Sequence, residues 1–100
     1  MSQLNVQLVA ADRAVWSGVA SIVIARTVDG DLGVLPGHEP MLAELADGVV
    51  TIRAVDGEDA VAAVHGGFIS VEGDTVSLLA ESAELADEID VARARRALER

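Results

Sequence analysis

Apolar and polar residues alternate along much of the chain with the two-residue period of a half-buried β-strand. The alternation is clearest over residues 4–8 and again over residues 48–55. Successive side chains of a strand point to opposite faces, so this period places the apolar residues of each segment on one face. Both segments therefore predict strands that cover a shared core.

Other apolar runs lie between Gly, Asp and Pro residues, which are typical of turns. Asp56-Gly57 predicts a tight hairpin turn, because both residues tolerate the positive φ that such turns need. The central run of residues 19–27 is so apolar that it predicts burial on both faces. The further predicted strands cover residues 14–16, 19–27, 60–65, 68–71 and 75–80. Six or more short strands indicate an antiparallel β-sandwich or barrel.

The pattern changes near residue 85. Residues 87–100 contain no Gly or Pro and are rich in Ala and Arg, with acids at the start and arginines at the end. This charge order suits the helix dipole, and Asp87 is a plausible N-cap. The sequence therefore predicts a β-sandwich over residues 1–84 and one short α-helix over residues 85–100.

Composition narrows the classes of partner. The 100 residues carry 17 Asp and Glu against 7 Arg and no Lys, for a net charge of −10. Such a charge argues against nucleic acid or an anionic membrane surface as the main partner. Cys is absent, and no apolar run approaches the length that inserts directly into a membrane. The start of the chain does not have the pattern of a signal peptide.

Motifs for catalysis and metal binding are missing. His38 and His65 are the two side chains that could act as bases near neutral pH, and no nucleophile or phosphate-loop motif accompanies them. Asp29-Gly30-Asp31 has too few oxygen ligands for a calcium loop. We therefore expect no catalytic residue and no metal site.

The segment 29–42 combines three Gly and two Pro with five interleaved apolar residues. A flexible linker would not hold so many apolar anchors, and Pro restricts the backbone. The segment predicts a rigid loop on the rim of the sandwich, with an ordinary structured turn as the alternative.

The same segment carries a resemblance. GDLGVLPGHEPML resembles the G-E-x-G-x-L-P-G-H-x-P-L signature of the epsilon subunits of F-type ATP synthases. Four more segments follow that family's motifs in the same order. They are Trp16-Ser17-Gly18, Gly66-Gly67-Phe68, residues 76–83 and residues 89–94.

The resemblance implies a sandwich of about ten strands followed by a helical element. It implies a rotor subunit without an active site, which links the gamma subunit to the ring of c subunits and couples proton flow to ATP synthesis. The subunit would then sit at the cytoplasmic face of the bacterial plasma membrane. Two other interpretations are a free-standing nucleotide sensor and an unrelated sandwich that shares the loop alone.

The resemblance also implies a contact with the c-ring. The loop positions that match are Asp31, His38, Glu39, Met41 and Leu42. An acid on the loop would pair with a basic residue of the ring and fix its register. The alternatives are a solvated turn acid for Asp31 and a turn-stabilising hydrogen bond for His38.

Finally, the resemblance implies a nucleotide element, in which arginine side chains hold phosphate. The matching positions are Glu84, Ile89, Asp90, Arg93, Ala94 and Arg100. The second helix of the family's hairpin has no counterpart up to Arg100. We therefore expect weakened regulation of ATP hydrolysis, with ATP as a regulatory ligand at most, and contact with the alpha/beta headpiece through the C-terminal helix. The alternative is a solvated, capped helix end.

Overall fold

The fold is known from a computed structural model, which describes residues 3–55, 57 and 59–86. These residues form nine β-strands. The strands are β1 (Leu4–Ala10), β2 (Arg13–Thr27), β3 (Gly30–Val34), β4 (Met41–Glu44), β5 (Gly48–Ala54), β6 (Asp59–His65), β7 (Phe68–Glu72), β8 (Thr75–Ala80) and β9 (Ser82–Leu85). The predicted mainly-β class is confirmed.

The strands form two sheets that share β2. The first half of β2 pairs with β1, and its second half pairs with β3 and β5. The register shifts between Ala20 and Ile22, as expected where a bulge bends a strand from one sheet into another. The nine described strands are hydrogen-bonded in one continuous series, which β2 divides into a first sheet of order β4-β7-β8-β1-β2 and a second sheet of order β3-β2-β5-β6-β9. Each sheet thus has five members, although the described residues form nine strands.

One strand pair departs from the predicted antiparallel pattern. Strands β1 and β8 are parallel, with Val6 beside Val76 and Leu8 beside Leu78. They are far apart in sequence, so no short turn forces them to be antiparallel. Every other named pair among the described strands is antiparallel.

The core lies between the two sheets and is aliphatic. Leu8 and Leu78 of the first sheet and Val50 and Ile52 of the second are fully buried and belong to one cluster. The alternation predicted over residues 4–8 and 48–55 is confirmed, because alternate residues of each segment lie in this cluster: Leu4, Val6 and Leu8 in the first, and Val50 and Ile52 in the second. Burying these side chains away from water is the main force that holds the sheets together.

Strand β2 corrects two predictions. The segments 14–16 and 19–27 are one continuous strand, Arg13–Thr27, rather than two. Gly18 does not end a strand, because it pairs with Val6 of β1 in a register that is unbroken on both sides of it. The Trp16 ring covers it, and a Cβ on Gly18 would lie 2.9 Å from that ring. The 19–27 run is not buried on both faces either, since the Ile24 side chain is 38% exposed.

The segment 29–42 is also more regular than predicted. Strand β3 pairs with β2, and β4 pairs with β7, so the irregular part is reduced to residues 35–40. Gly30 and Gly33 lie on the edge strand β3, where one side of the backbone needs no partner strand, whereas Pro36 and Pro40 both lie in the irregular part.

The C-terminal helix predicted over residues 85–100 lies, from residue 87 onward, outside the described residues, so this helix and the division at residues 84 and 85 stay predictions. Strand β9 ends at Leu85. Within the described residues, no helix has the length and apolar character needed to cross a bilayer.

Candidate functional site

The outward side of the first sheet carries very little charge. Its outward positions alternate with buried ones and are brought side by side by the strand register. We call this surface the first-sheet outer face, and it consists of Asn5, Gln7, Val9, Ser17, Val19, Leu42, Glu44, Phe68, Ser70, Glu72, Thr75, Ser77 and Leu79. Among these described positions the charged ones are Glu44 and Glu72, which lie at opposite ends of the face.

An apolar row crosses one end of this face. Phe68 pairs with Leu79 across β7 and β8, and Leu79 pairs with Val9 across β8 and β1. The Phe68 and Leu79 side chains are 51% and 55% exposed, although both are large and apolar. These three residues line a groove of about 580 Å³ with Glu44 and Glu81. The row is an exposed apolar patch of the kind that marks interaction sites.

The outward side of the second sheet is different. Arg26 Nε lies 3.1 Å from Asp31 Oδ1, and Arg53 Nε lies 3.9 Å from Asp59 Oδ2. We call this surface the second-sheet outer face, and it consists of Ile24, Arg26, Asp31, Gly33, Val49, Thr51, Arg53, Asp59, Val61, Ala63, His65, Ser82 and Glu84. Here exposed apolar side chains are interspersed with charges of both signs.

Asp31, the acid of the predicted ring contact, lies on β3 at the edge of the second sheet. Its carboxylate accepts a hydrogen bond from Arg26 Nε, its cross-strand neighbour. Both side chains are exposed, so water and salt screen the pair. Asp31 is therefore accessible, and a partner's basic group would compete with Arg26 for it.

His38 and Glu39 lie in the irregular stretch between β3 and β4. The His38 backbone N–H donates to the Leu35 carbonyl at 3.1 Å, and His38 Nδ1 lies 2.7 Å from the Glu39 carbonyl. The N–H of Gly37, which has a φ of +87°, donates to Asp74 Oδ1 at 3.1 Å. The two His38 contacts lie within the turn, and the Gly37 bond joins the turn to the β7–β8 hairpin.

Met41 and Leu42 lie on β4 and point to opposite sides of it. Met41 packs against the core, whereas the Leu42 side chain is 71% exposed on the first-sheet outer face. Asp31 faces outward from the other sheet. The five predicted contact residues thus divide among two sheet edges and the turn between them, and their role in a ring contact stays a prediction.

Of the six residues predicted for the nucleotide element, Glu84 is the one within the described part of the chain. It is exposed on β9 beside Ala63. Ile89, Asp90, Arg93, Ala94 and Arg100 lie outside the described residues. In the described part of the chain, no three His, Asp or Glu side chains gather closely enough to hold a metal ion.

Sequence reasoning missed the apolar row on the first-sheet outer face. The strand over residues 68–71 was predicted, but the face to which Phe68 points depends on its pairing with β8. One signal was available: Phe68 alternates with Ile69 and Val71 in a run without charge. Apolar residues in both phases of a strand indicate that both of its faces are covered.

Comparison with known proteins decides the family. Residues 3–86 match the family model described as "ATP synthase, Delta/Epsilon chain, beta-sandwich domain". The chain belongs to the ATP synthase epsilon-chain family. The resemblance found in the sequence is therefore confirmed.

Relatives of this epsilon-chain family support the assignment over nearly the whole chain. The ATP synthase epsilon chain of Streptomyces avermitilis is 65% identical over 99 residues, which are 99% of this chain and 80% of that one. The epsilon chain of Corynebacterium diphtheriae is 55% identical over 100 residues, covering 99% of this chain and 81% of the relative.

A solved structure of an ATP synthase contains the same fold. A chain in the cryo-EM structure of the Euglena gracilis mitochondrial ATP synthase, OSCP/F1/c-ring, matches with a TM-score of 0.83 and 28% identity. The match covers 99% of this epsilon-family chain and 63% of the Euglena chain. The present chain thus spans less than two thirds of that neighbour's length.

Proposed function

We propose that this chain is a non-catalytic rotor subunit of the central stalk of an ATP synthase. In this role it links the gamma subunit to the c-ring and helps to couple proton translocation to ATP synthesis. Membership of the epsilon-chain family supports the role. The observation that carries the proposal is the exposed apolar row on the nearly uncharged first-sheet outer face.

The gamma subunit is the proposed occupant of that face. Stable interfaces are depleted of charge at their centre and use aromatic side chains as anchors. Phe68 supplies the aromatic anchor, and Leu79 extends it across the strand pair. The neighbouring Ser70 and Ser77 are small and neutral, which limits the polar groups to be desolvated there, whereas Glu44 pairs directly with Phe68 and its carboxylate must stay solvated or find a partner at the edge of the contact.

The second-sheet outer face supports the c-ring contact instead. Asp31 is exposed on this side of the sandwich, and its present partner Arg26 is also exposed. Exchanging one exposed ion pair for another changes the free energy little, so this contact would fix the register and orientation of the ring more than its affinity. Because Asp31 and Phe68 face outward from different sheets, gamma and the ring can be bound together.

This role requires no chemistry from the chain itself, and ATP synthesis would take place elsewhere in the complex. The chain would be a peripheral component at the cytoplasmic face of the bacterial plasma membrane, held there through the ring. Contact with the alpha/beta headpiece and regulation by ATP depend on residues 87–100 and remain predictions.

The gamma contact is tested by placing a charge on each outer face in turn. Phe68→Glu inserts a carboxylate at the proposed centre of the contact, and Val49→Glu inserts the same group on the second-sheet outer face. Val49 is a matched control because it is also an apolar strand residue, 55% exposed. Binding to the cognate gamma subunit is measured by titration calorimetry.

We expect Phe68→Glu to weaken gamma binding by at least about 30-fold, as for a central anchor residue. Val49→Glu should change the affinity by less than about 3-fold, as for a position outside a contact. Comparable losses in both variants, or a loss with Val49→Glu alone, would rule out the first-sheet outer face as the gamma site.

The ring contact is tested by charge reversal. Asp31→Arg should reduce attachment of the gamma–epsilon complex to c-rings in a sedimentation assay, because like charges would then meet. Asp59→Arg is the control, since Asp59 is also an exposed acid paired with an arginine on the same face. Equal ring attachment and coupled ATP synthesis in wild type and Asp31→Arg would refute the contact.

A further inference from the structure

Two connections between the sheets meet beside Phe68. Residues 45–47 join β4 of the first sheet to β5 of the second, and residues 66–67 join β6 of the second sheet to β7 of the first. We call them the outgoing and the returning crossover. Phe68 is the first residue of β7, so the returning crossover leads directly into it, while strand pairing with β8 sets the face to which it points.

The returning crossover consists of two glycines in left-handed conformations, with φ of +64° at Gly66 and +106° at Gly67. Glycine has the greatest backbone freedom of any residue, so such a pair does not by itself define a direction for the chain that follows. A Cβ on Gly67 would lie 1.9 Å from the Leu79 carbonyl oxygen, which shows how closely the turn lies against β8.

Two hydrogen bonds from the outgoing crossover supply that direction. The Leu45 N–H donates to the Gly67 carbonyl at 2.9 Å, and Asp47 Oδ1 accepts from the Gly66 N–H at 2.9 Å. The second Asp47 oxygen lies 3.8 Å from His65 Nδ1. The first bond joins two backbone groups, whereas the second uses the side chain of Asp47. Only the second bond therefore depends on the residue type at position 47.

We propose that Asp47 is a positioning residue for docking: its carboxylate holds Gly66 so that Phe68 projects from the first-sheet outer face in the orientation that the partner subunit binds. This inference rests on the proposed function, because it takes that face as the docking surface. Asp47 itself is exposed and lies in the outgoing crossover, outside the first-sheet outer face. It acts through the backbone of residues 66–68.

The first test uses the free chain and needs no partner. Amide hydrogen exchange at Gly66 should be about 3- to 10-fold faster in Asp47→Ala, because one net hydrogen bond of ordinary strength is lost. Asp47→Asn keeps an oxygen acceptor and should exchange within about 2-fold of wild type. Unchanged exchange in Asp47→Ala would overturn the inference.

The second test is a double-mutant cycle on gamma binding. Asp47→Ala should weaken binding by about 3- to 10-fold, and Asp47→Asn should restore most of the loss. In a Phe68→Ala background, Asp47→Ala should change the affinity for gamma by less than about 2-fold, because no Phe68 ring remains to be positioned. A purely structural effect of Asp47 would instead be the same in both backgrounds and would overturn the inference.

The two failures can be told apart. A wild-type chain that does not bind gamma overturns the proposed function, and the docking role of Asp47 falls with it. The exchange measurement then still decides whether Asp47 orders the returning crossover. Normal gamma binding by wild type, with loss in Phe68→Glu and no loss in Asp47→Ala, overturns the Asp47 inference alone.

Discussion

The two sheets have equivalent inner faces but different outer faces. Inward, both present fully buried aliphatic residues, such as Leu78 on the first sheet and Ile52 on the second. Outward, the first sheet combines neutral polar residues with Phe68 and Leu79, whereas the second carries the two Arg–Asp pairs. The inner faces meet the same requirement, which is to exclude water, so their composition says little about function.

The difference between the outer faces is informative because folding does not require it. An outward strand position tolerates charge, and charge there keeps a protein soluble. A sheet face almost without charge, on a chain of net charge −10, is therefore better explained by a partner than by stability. Sheet faces are thus best compared on their outward positions when an interface is sought.

The largest expected effect is on the returning crossover that leads into the first-sheet face. Gly67→Ala should destabilise the chain by about 3 kcal/mol or more, because its Cβ would meet the Leu79 carbonyl and its φ would be strained. Gly73→Ala is the control, since Gly73 has a φ of +61° but open space around a Cβ. Gly73→Ala should lower the unfolding free energy by about 1 kcal/mol. Urea unfolding measures the stability of both variants, and equal losses of unfolding free energy would contradict the steric argument.

Next in size is a test that the inner faces are equivalent. Leu78→Ala on the first sheet and Ile52→Ala on the second should each cost about 3 kcal/mol of unfolding free energy, from lost burial and a residual cavity. Thermal and urea unfolding of the two variants provide the measurement. A large loss in one variant with almost none in the other would show that the sheets do not share a single core.

A smaller effect would sharpen the contrast between the outer faces. If gamma docks on the nearly uncharged face, raising the salt from about 0.05 M to about 0.5 M should change its affinity by less than about 3-fold. Attachment to the c-ring through Asp31 should weaken more over the same range. Titrations at several salt concentrations test this, and the reverse order of salt sensitivity would exchange the roles of the two faces.

The smallest effect concerns the ion pairs of the second-sheet face. Arg26→Ala and Arg53→Ala should each change the unfolding free energy by less than about 0.5 kcal/mol, because both pairs are exposed and screened. Urea unfolding of the two variants checks this. A loss of unfolding free energy above about 1.5 kcal/mol would show that the Arg–Asp pairs stabilise the fold. It would then weaken the argument that Asp31 is available to bind a partner.

The fold could be predicted well where the pattern was local. Residues 75–80 and the alternation over residues 48–55 gave β8 and β5 with nearly correct bounds. Local pattern divides strand β2 in two, because Ser17-Gly18 is typical of a strand end. The glycine at position 18 does not mark a turn. It leaves room for the Trp16 ring, which lies over it, and this contact is visible only in the folded strand.

The candidate site was predicted in part. The resemblance pointed to the positions around Asp31 and His38, but it treated them as one loop surface. The structure places Asp31 on one sheet and Leu42 on the outward side of the other. The apolar row at Phe68 was not predicted, because its members come from β7, β8 and β1 and meet only through strand pairing.

The sequence by itself determined the mainly-β class, most strand positions and the family, because all of these depend on residue type at short spacing. Only the tertiary structure decided which outward residues share a face, how β2 serves both sheets and how Asp47 reaches Gly66. The physical reason is that register and sheet order are set by contacts between distant segments. A shift of one residue in that register would turn every outward side chain inward.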